Sequence, residues 1–158
     1  MTAAEWAERR AQSRQAAKAQ DAVRDALTLA RHNTRTANFP DLAQDVIDSF
    51  ENHCEEHNKR RLPGESSISF CAGSGSEYLL KRDAGLFEMQ VQVDFPGCFI
   101  RVSAEESRWS YLRLYRPVAM EDGSAVLSSS GDGSLVTADD IVQAAMDAFV
   151  AAREPAAM

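Results

Sequence analysis

Little in this chain looks catalytic. Its three histidines, His32, His53 and His57, all precede residue 58, so the serines at 128–130 have no histidine near them in sequence. Three cysteines, Cys54, Cys71 and Cys98, are an odd number without metal-type spacing. They read as reduced, partly buried thiols of a cytoplasmic protein. No apolar run is long enough for a secretory leader or a membrane span, and the opening MTAAEWAERRAQSRQ carries charge throughout. Basic residues are outnumbered, 17 Lys and Arg against 24 Asp and Glu, for a net charge of −7. That balance argues against general binding to duplex nucleic acid or to an anionic membrane, although it leaves room for a local basic patch. No internal repeat and no heptad array stands out.

Glycine is present but not where phosphate chemistry needs it. The stretch AGSGS (72–76) is followed by a strand pattern, not a helix, so it makes a poor phosphate cradle and reads as a loop. DGS (122–124) and GDGS (131–134) lack the ligand spacing and terminal glutamate of a calcium loop and read as turns.

What remains is one domain's worth of chain. A length of 158 residues can bury about two thirds of its unfolded surface. Alanine, arginine and aspartate are used heavily, which suggests a GC-rich bacterial or phage genome. Residues 1–158 are expected to form a single domain, with residues 1–15 projecting or pairing with a partner and 153–158 fraying.

Thr2 with Glu5 fits a capping box, and the alanine-rich run after it predicts a helix over 3–31. Its apolar stripe is thin around Trp6 and firms up at Ala16, Ala19, Val23, Ala26, Leu27 and Ala30. NTRTANFP (33–40) breaks the pattern. Pro40 then suits the first turn of a second helix whose buried face is Leu42, Val46, Ile47 and Phe50, ending at KRRLPG (59–64).

From Ser66 the period changes to two. LFEMQVQVDF (86–95) alternates strictly, and further strands are expected at 67–72, 77–82, 98–104, 108–116 and, more weakly, 124–130. Thr137 and Asp140 cap a last helix with a stripe of Ile141, Ala145, Ala148, Phe149 and Ala152. The fold class is α+β: two N-terminal helices, an antiparallel meander of five to six strands, and a C-terminal helix. The first hairpin permits two registers, one burying Leu79 and the other Tyr78 with Leu80.

Pairing Phe95 with Cys98 across Pro96-Gly97, and Ala104 with Arg108 across the EES turn, gives one apolar face. It holds Met89, Val91, Val93, Phe95, Cys98, Ile100, Val102, Leu112 and Leu114. The opposite face then carries Phe99, Arg101, Trp109, Tyr111, Arg113 and Tyr115 beside Glu88, Gln90, Gln92 and Asp94. Aromatics interleaved with arginine are enriched at protein interfaces. If the first helix does not lie across it, this face is the candidate binding site of a non-enzymatic, protein-binding module of adaptor, chaperone-like or inhibitor type. A basic partner surface would suit the acidic chain, and a homodimer is an alternative occupant. Single-stranded nucleic acid stacking on the same rings is a further alternative.

One short stretch points elsewhere. In ENHCEEH (51–57), His53, Glu56 and His57 have the H-x-x-E-H form of an inverted zinc-protease signature. A catalytic zinc needs a third protein ligand, and nothing downstream announces one. The preferred expectation is that both imidazoles half-bury at a helix end, with no metal, no cofactor and no catalytic residue. The metal-dependent hydrolase is the enzyme alternative.

Overall fold

The computed structural model describes residues 1–83, 85, 87–106 and 108–152. The fold is α+β. A 58-residue helix, α1 (Ala3–Arg60), precedes seven strands: β1 (Ile68–Ala72), β2 (Glu77–Arg82), β3 (Glu88–Asp94), β4 (Phe99–Glu106), β5 (Trp109–Ala119), β6 (Ala125–Ser129) and β7 (Leu135–Val136). A second helix, α2 (Ala138–Ala151), closes the order. Every strand pairs antiparallel with its neighbours in sequence, so the sheet is a plain meander from β1 to β7. No helix among the described residues is long and apolar enough to cross a membrane. The expected frayed tail at 153–158 lies outside the described residues.

The two expected N-terminal helices are one. The expected break at 33–40 contains no glycine, and its polar side chains bond backwards along the helix instead of capping a new one. Thr34 Oγ1 donates to the Ala30 carbonyl at 3.0 Å, Thr36 Oγ1 to the His32 carbonyl at 2.9 Å, and Asn38 Nδ2 to the Thr34 carbonyl at 2.8 Å. Pro40 forfeits one backbone bond and strains the preceding turn, at a cost of about 3 kcal/mol. Burial of Phe39, Ala43, Val46 and Phe50 on the sheet offsets it. The helix stops at Arg61, which is extended, just before Pro63 and the positive-φ Gly64.

The core lies between one face of the sheet and two helices, the second half of α1 and all of α2. Val46, Phe50, Leu80, Met89, Val91, Ile100, Val102, Ile141 and Phe149 are fully buried there. Phe50 stacks on Phe70 at 4.7 Å and Phe70 on Tyr78 at 5.4 Å. The first hairpin therefore takes the register that turns Tyr78 and Leu80 inward, with Leu80 opposite Met89. Ser49 Oγ donates to Asp139 Oδ1 at 2.5 Å, tying α1 to the first turn of α2. Both expected capping boxes are formed, Thr2 with Glu5 and Thr137 with Asp140. The Asn58 side chain bonds both backbone groups of Ile68, at 2.8 and 2.9 Å, fixing β1 to the end of α1.

A seventh strand, β7, was not expected. It is two residues long and pairs Leu127 with Val136 and Ser128 with Leu135. Phe95 also departs from expectation. It lies past the end of β3 in a turn, 46% exposed, with its ring edge-on to Phe39 at 5.9 Å.

Candidate functional site

The surface of the sheet is decided by two hairpins. In the β3–β4 hairpin Val93 faces Ile100 and Val91 faces Val102, as the alternation predicts. Its turn is held by Gly97 N donating to Asp94 Oδ1 at 2.7 Å, and Cys98 sits at positive φ. A Cβ at Gly97 would meet the Phe99 ring at 2.9 Å, so a side chain there would have to displace that ring.

The β4–β5 hairpin does not follow the expected register. Glu106 pairs with Trp109, Ala104 with Tyr111 and Ile100 with Tyr115, so β4 takes in Glu105 and Glu106, the first two residues of the expected EES turn. The partner of Ile100 moves from Leu112 to Tyr115, an odd number of residues, and an odd shift exchanges the two faces of the strand. Tyr111 and Tyr115 are therefore buried in the main core, while Leu112 is 60% exposed on the far side and Leu114 is half-buried there. The physical reason is that β5 is amphipathic both ways. Either Trp109, Tyr111, Tyr115 and Pro117 or Leu112, Leu114 and Val118 could make a greasy face, and the two long rings bury more apolar area than two leucines.

The six residues expected to share one face are accordingly divided. Phe99 and Arg101 remain on the outer face, whereas Trp109, Tyr111, Arg113 and Tyr115 project on the helix side. Trp109 is half-buried, edge-on to Phe87 at 5.4 Å and stacked near Tyr111 at 6.2 Å. Phe87 in turn stacks on Phe149 of α2 at 5.3 Å. The Arg113 guanidinium lies over the Tyr111 ring at 4.6 Å and stays exposed. Burial, the largest influence on each, pushes both tyrosine hydroxyls above the ordinary phenol range. Among the described residues, the Tyr111 hydroxyl is the buried side-chain oxygen that lacks a hydrogen-bond partner.

Neither helix covers the outer face. Its centre is Phe99, Arg101, Leu112, Leu114 and Arg116, where Arg101 pairs with Leu114 and Ser103 with Leu112. Arg116 lies over the Phe99 ring at 5.5 Å. Towards the β7 edge, Val118 pairs with Val126 and Leu135 with Ser128, and Leu135 is 56% exposed. A depression of about 590 Å³ adjoins this patch, lined by Glu88, Gln90, Arg101, Ser103 and Glu105 among others. Leu112, Arg116 and Leu135 were missed from sequence. The alternation of IRVSAE runs to Glu105 and is broken at Glu106, so the sequence carried no signal that β4 continues past it.

The histidine stretch sits in the groove between α1 and α2. His53 and His57 are half-buried, as the helical phase predicts. The His53 Nδ1 lies 2.7 Å from the Ser49 carbonyl of its own helix. Glu56 is drawn the other way, paired with Arg60 and, at 3.7 Å, with Lys59, and those cations hold its carboxyl below the usual range. Among the described residues no group of three or more His, Cys, Asp or Glu side chains is placed to hold a metal ion. The Cys54 thiol, buried one turn from Phe50, is pushed up to about 11 by burial and by Glu51.

Comparison with known proteins returns no matching family model, no matching curated protein and no matching solved structure.

Proposed function

We propose that this chain is a non-enzymatic protein-binding module whose contact surface is the outer face of the sheet around Phe99, Arg101, Leu112, Arg116 and Leu135. The observation that carries this reading is the asymmetry of the sheet. One face is closed by two helices, and the other is left open with two large aliphatic side chains more than half exposed. Arginines flank the apolar centre, one of them over the Phe99 ring. Such a pairing keeps a guanidinium ordered before docking, so less entropy is lost on binding. Adjacent strands hold these side chains, which favours a preformed surface over one assembled on contact. The division of the aromatics also favours a protein ligand over single-stranded nucleic acid. One ring remains on the open face, and a stacking platform needs several.

The test compares proteins captured by the wild type, by a Leu112→Asp/Leu135→Asp variant and by Trp109→Ala. Partners lost by the first variant and kept by the second support the outer face. Equal recovery by all three would sink it. Zinc measured in the purified protein addresses the metal-dependent alternative. A stoichiometric ion removed by His53→Ala would replace the present reading.

A further inference from the structure

The first half of α1 is an exposed arm, and where it leaves the body it overhangs a cleft. Measured from Phe39 at 100° per residue, Ala43, Val46 and Phe50 lie within about 40°, the line of α1 that packs on the sheet. Arg35 and His32 fall in the same arc, about 6 and 10 Å before Phe39 along the axis. The body-facing line therefore continues past Phe39, the first buried residue of the helix, as two basic side chains. They keep that line because α1 is unbroken through Pro40. A break at 33–40 would have released them. Beneath them is the turn between β3 and β4, held to the helix by the Phe95 ring edge-on to Phe39.

The cleft has a volume of about 310 Å³ and is walled by three elements. The helix contributes His32 and half-buried Arg35, β5 contributes Arg116 and buried Pro117, and the turn contributes Pro96 and Cys98. Among the described residues no carboxylate lines it, although the chain carries a net charge of −7. The carboxylate of the turn, Asp94, is occupied by the Gly97 N–H at 2.7 Å. Ion pairs among the described residues lie elsewhere, at Arg24, Lys59 and Arg60 on α1 and at Lys81 on the sheet. Two guanidiniums lining one cleft without a counter-ion repel each other, and an anion between them turns that repulsion into attraction. The walls are stiff. Arg116 lies over the Phe99 ring at 5.5 Å, and both prolines have a fixed φ. Cys98 holds a left-handed backbone, φ 52°, a conformation that disfavours side chains and persists where its surroundings enforce it.

We infer that this cleft binds a small phosphate-bearing ligand, with the phosphate held between Arg35 and Arg116 and His32 as a third donor. Guanidinium forks match pairs of phosphate oxygens. Two forks from different elements and an imidazole N–H offer more donors than the two oxygens of a carboxylate use. They suit the three terminal oxygens of inorganic phosphate or of a phosphate monoester. Size and lining set the rest. The volume lies at the low end of small-molecule sites, which run from about 300 to 1,000 Å³. Among the described residues no Phe, Tyr or Trp lines the cleft, so a nucleobase finds no ring to stack on. The acidic remainder of the chain repels a longer polyanion. This site does not depend on the sheet-face reading above and shares only Arg116 with it.

The experiment titrates the full chain at fixed ionic strength with inorganic phosphate, with glycerol phosphate and, as a control, with chloride. The backbone amide resonances of Gly97 and Cys98 are expected to shift saturably with the phosphates and to stay in place with chloride. Arg35→Ala is expected to weaken binding about tenfold, the loss of one charge-assisted pair, and His32→Ala to weaken it less. Both variants should keep the wild-type helical circular dichroism signal, which separates lost binding from misfolding. Equal affinity for the two probes assigns the site to the phosphate group itself, and tighter binding of glycerol phosphate assigns it to an organic monoester. Leu112→Asp/Leu135→Asp is expected to bind phosphate as the wild type does, and Arg35→Ala to keep the protein partners of the sheet face, so the two readings fail separately. No saturable shift up to millimolar phosphate, an equal response to chloride, or an affinity untouched by Arg35→Ala would each overturn the proposal.

Discussion

The two halves of α1 share one backbone and have opposite relations to water. Residues 39–54 put Phe39, Ala43, Val46, Phe50 and Cys54 into the core, while residues 3–33 bury nothing. Residues 1–37 are basic, with Arg9, Arg10, Arg14, Lys18, Arg24, Arg31 and Arg35 against Glu5, Glu8, Asp21 and Asp25, so this stretch is +3 and the rest of the chain −10. Helical propensity sustains the arm, since alanine and long polar side chains cost little in a helix. Tertiary packing sustains the other half, which carries the helix through Pro40 and buries Val46, Ile47 and Phe50. One regular element can therefore be held by different forces along its length, and substitutions should reveal where one gives way to the other.

The largest contrast is expected from cavities. Phe50→Ala should cost about 3–5 kcal/mol in denaturant unfolding, because Phe50 is fully buried against Phe70. Val23→Ala in the arm should lie within about 0.5 kcal/mol of wild type. Equal losses at both sites would erase the distinction. Ser49→Ala should cost about 1–2 kcal/mol, because it removes the bond between the buried hydroxyl and Asp139 that joins the two helices. Thr137→Ala should cost about 1 kcal/mol of global stability. Thr2→Ala, at an equivalent cap, should speed hydrogen exchange in the first turns and leave the unfolding midpoint unmoved.

Two pH effects sharpen the same contrast. The Asp140 carboxyl is held below its ordinary value by bonds from Thr137. Its contribution is present above the unfolded value near 3.8 and is lost as pH falls through the lower folded value. The α2 cap should therefore loosen in acid, at an onset that Asp140→Asn removes. Cys54 behaves in the opposite sense. Its folded value of about 11 exceeds the ordinary 9.0, so stability should fall as pH rises past 9.0 and the unfolded thiol ionises first. In native protein a thiol reagent should reach exposed Cys71 first and leave Cys54 unmodified.

Much of the fold was legible. Strict alternation in LFEMQVQVDF identified β3 and its inward side chains, and both capping boxes marked helix starts. Two misjudgements share a cause, the override of a local signal by tertiary pairing and packing. Pro40 announces a helix start in isolation, but Phe39 and Ala43 on the sheet carry the helix through it. The EES triplet looks like a turn, but pairing of Glu105 with Ser110 and Glu106 with Trp109 continues the ladder. That displacement reversed β5 and took four of six candidate residues off the open face. β7 is too short to leave a period of its own.

The Asn58 amide has an effect beyond anchoring β1. It occupies the outward-pointing backbone groups of Ile68 on an edge strand of only five residues. By alternation, Phe70 and Ala72 are left as the places where a stray strand could add to that side. At the far margin the sheet ends in two residues. A meander of this width would ordinarily offer a template for runaway stacking of copies. Here one side chain and one abbreviated strand leave such growth almost nothing to grip.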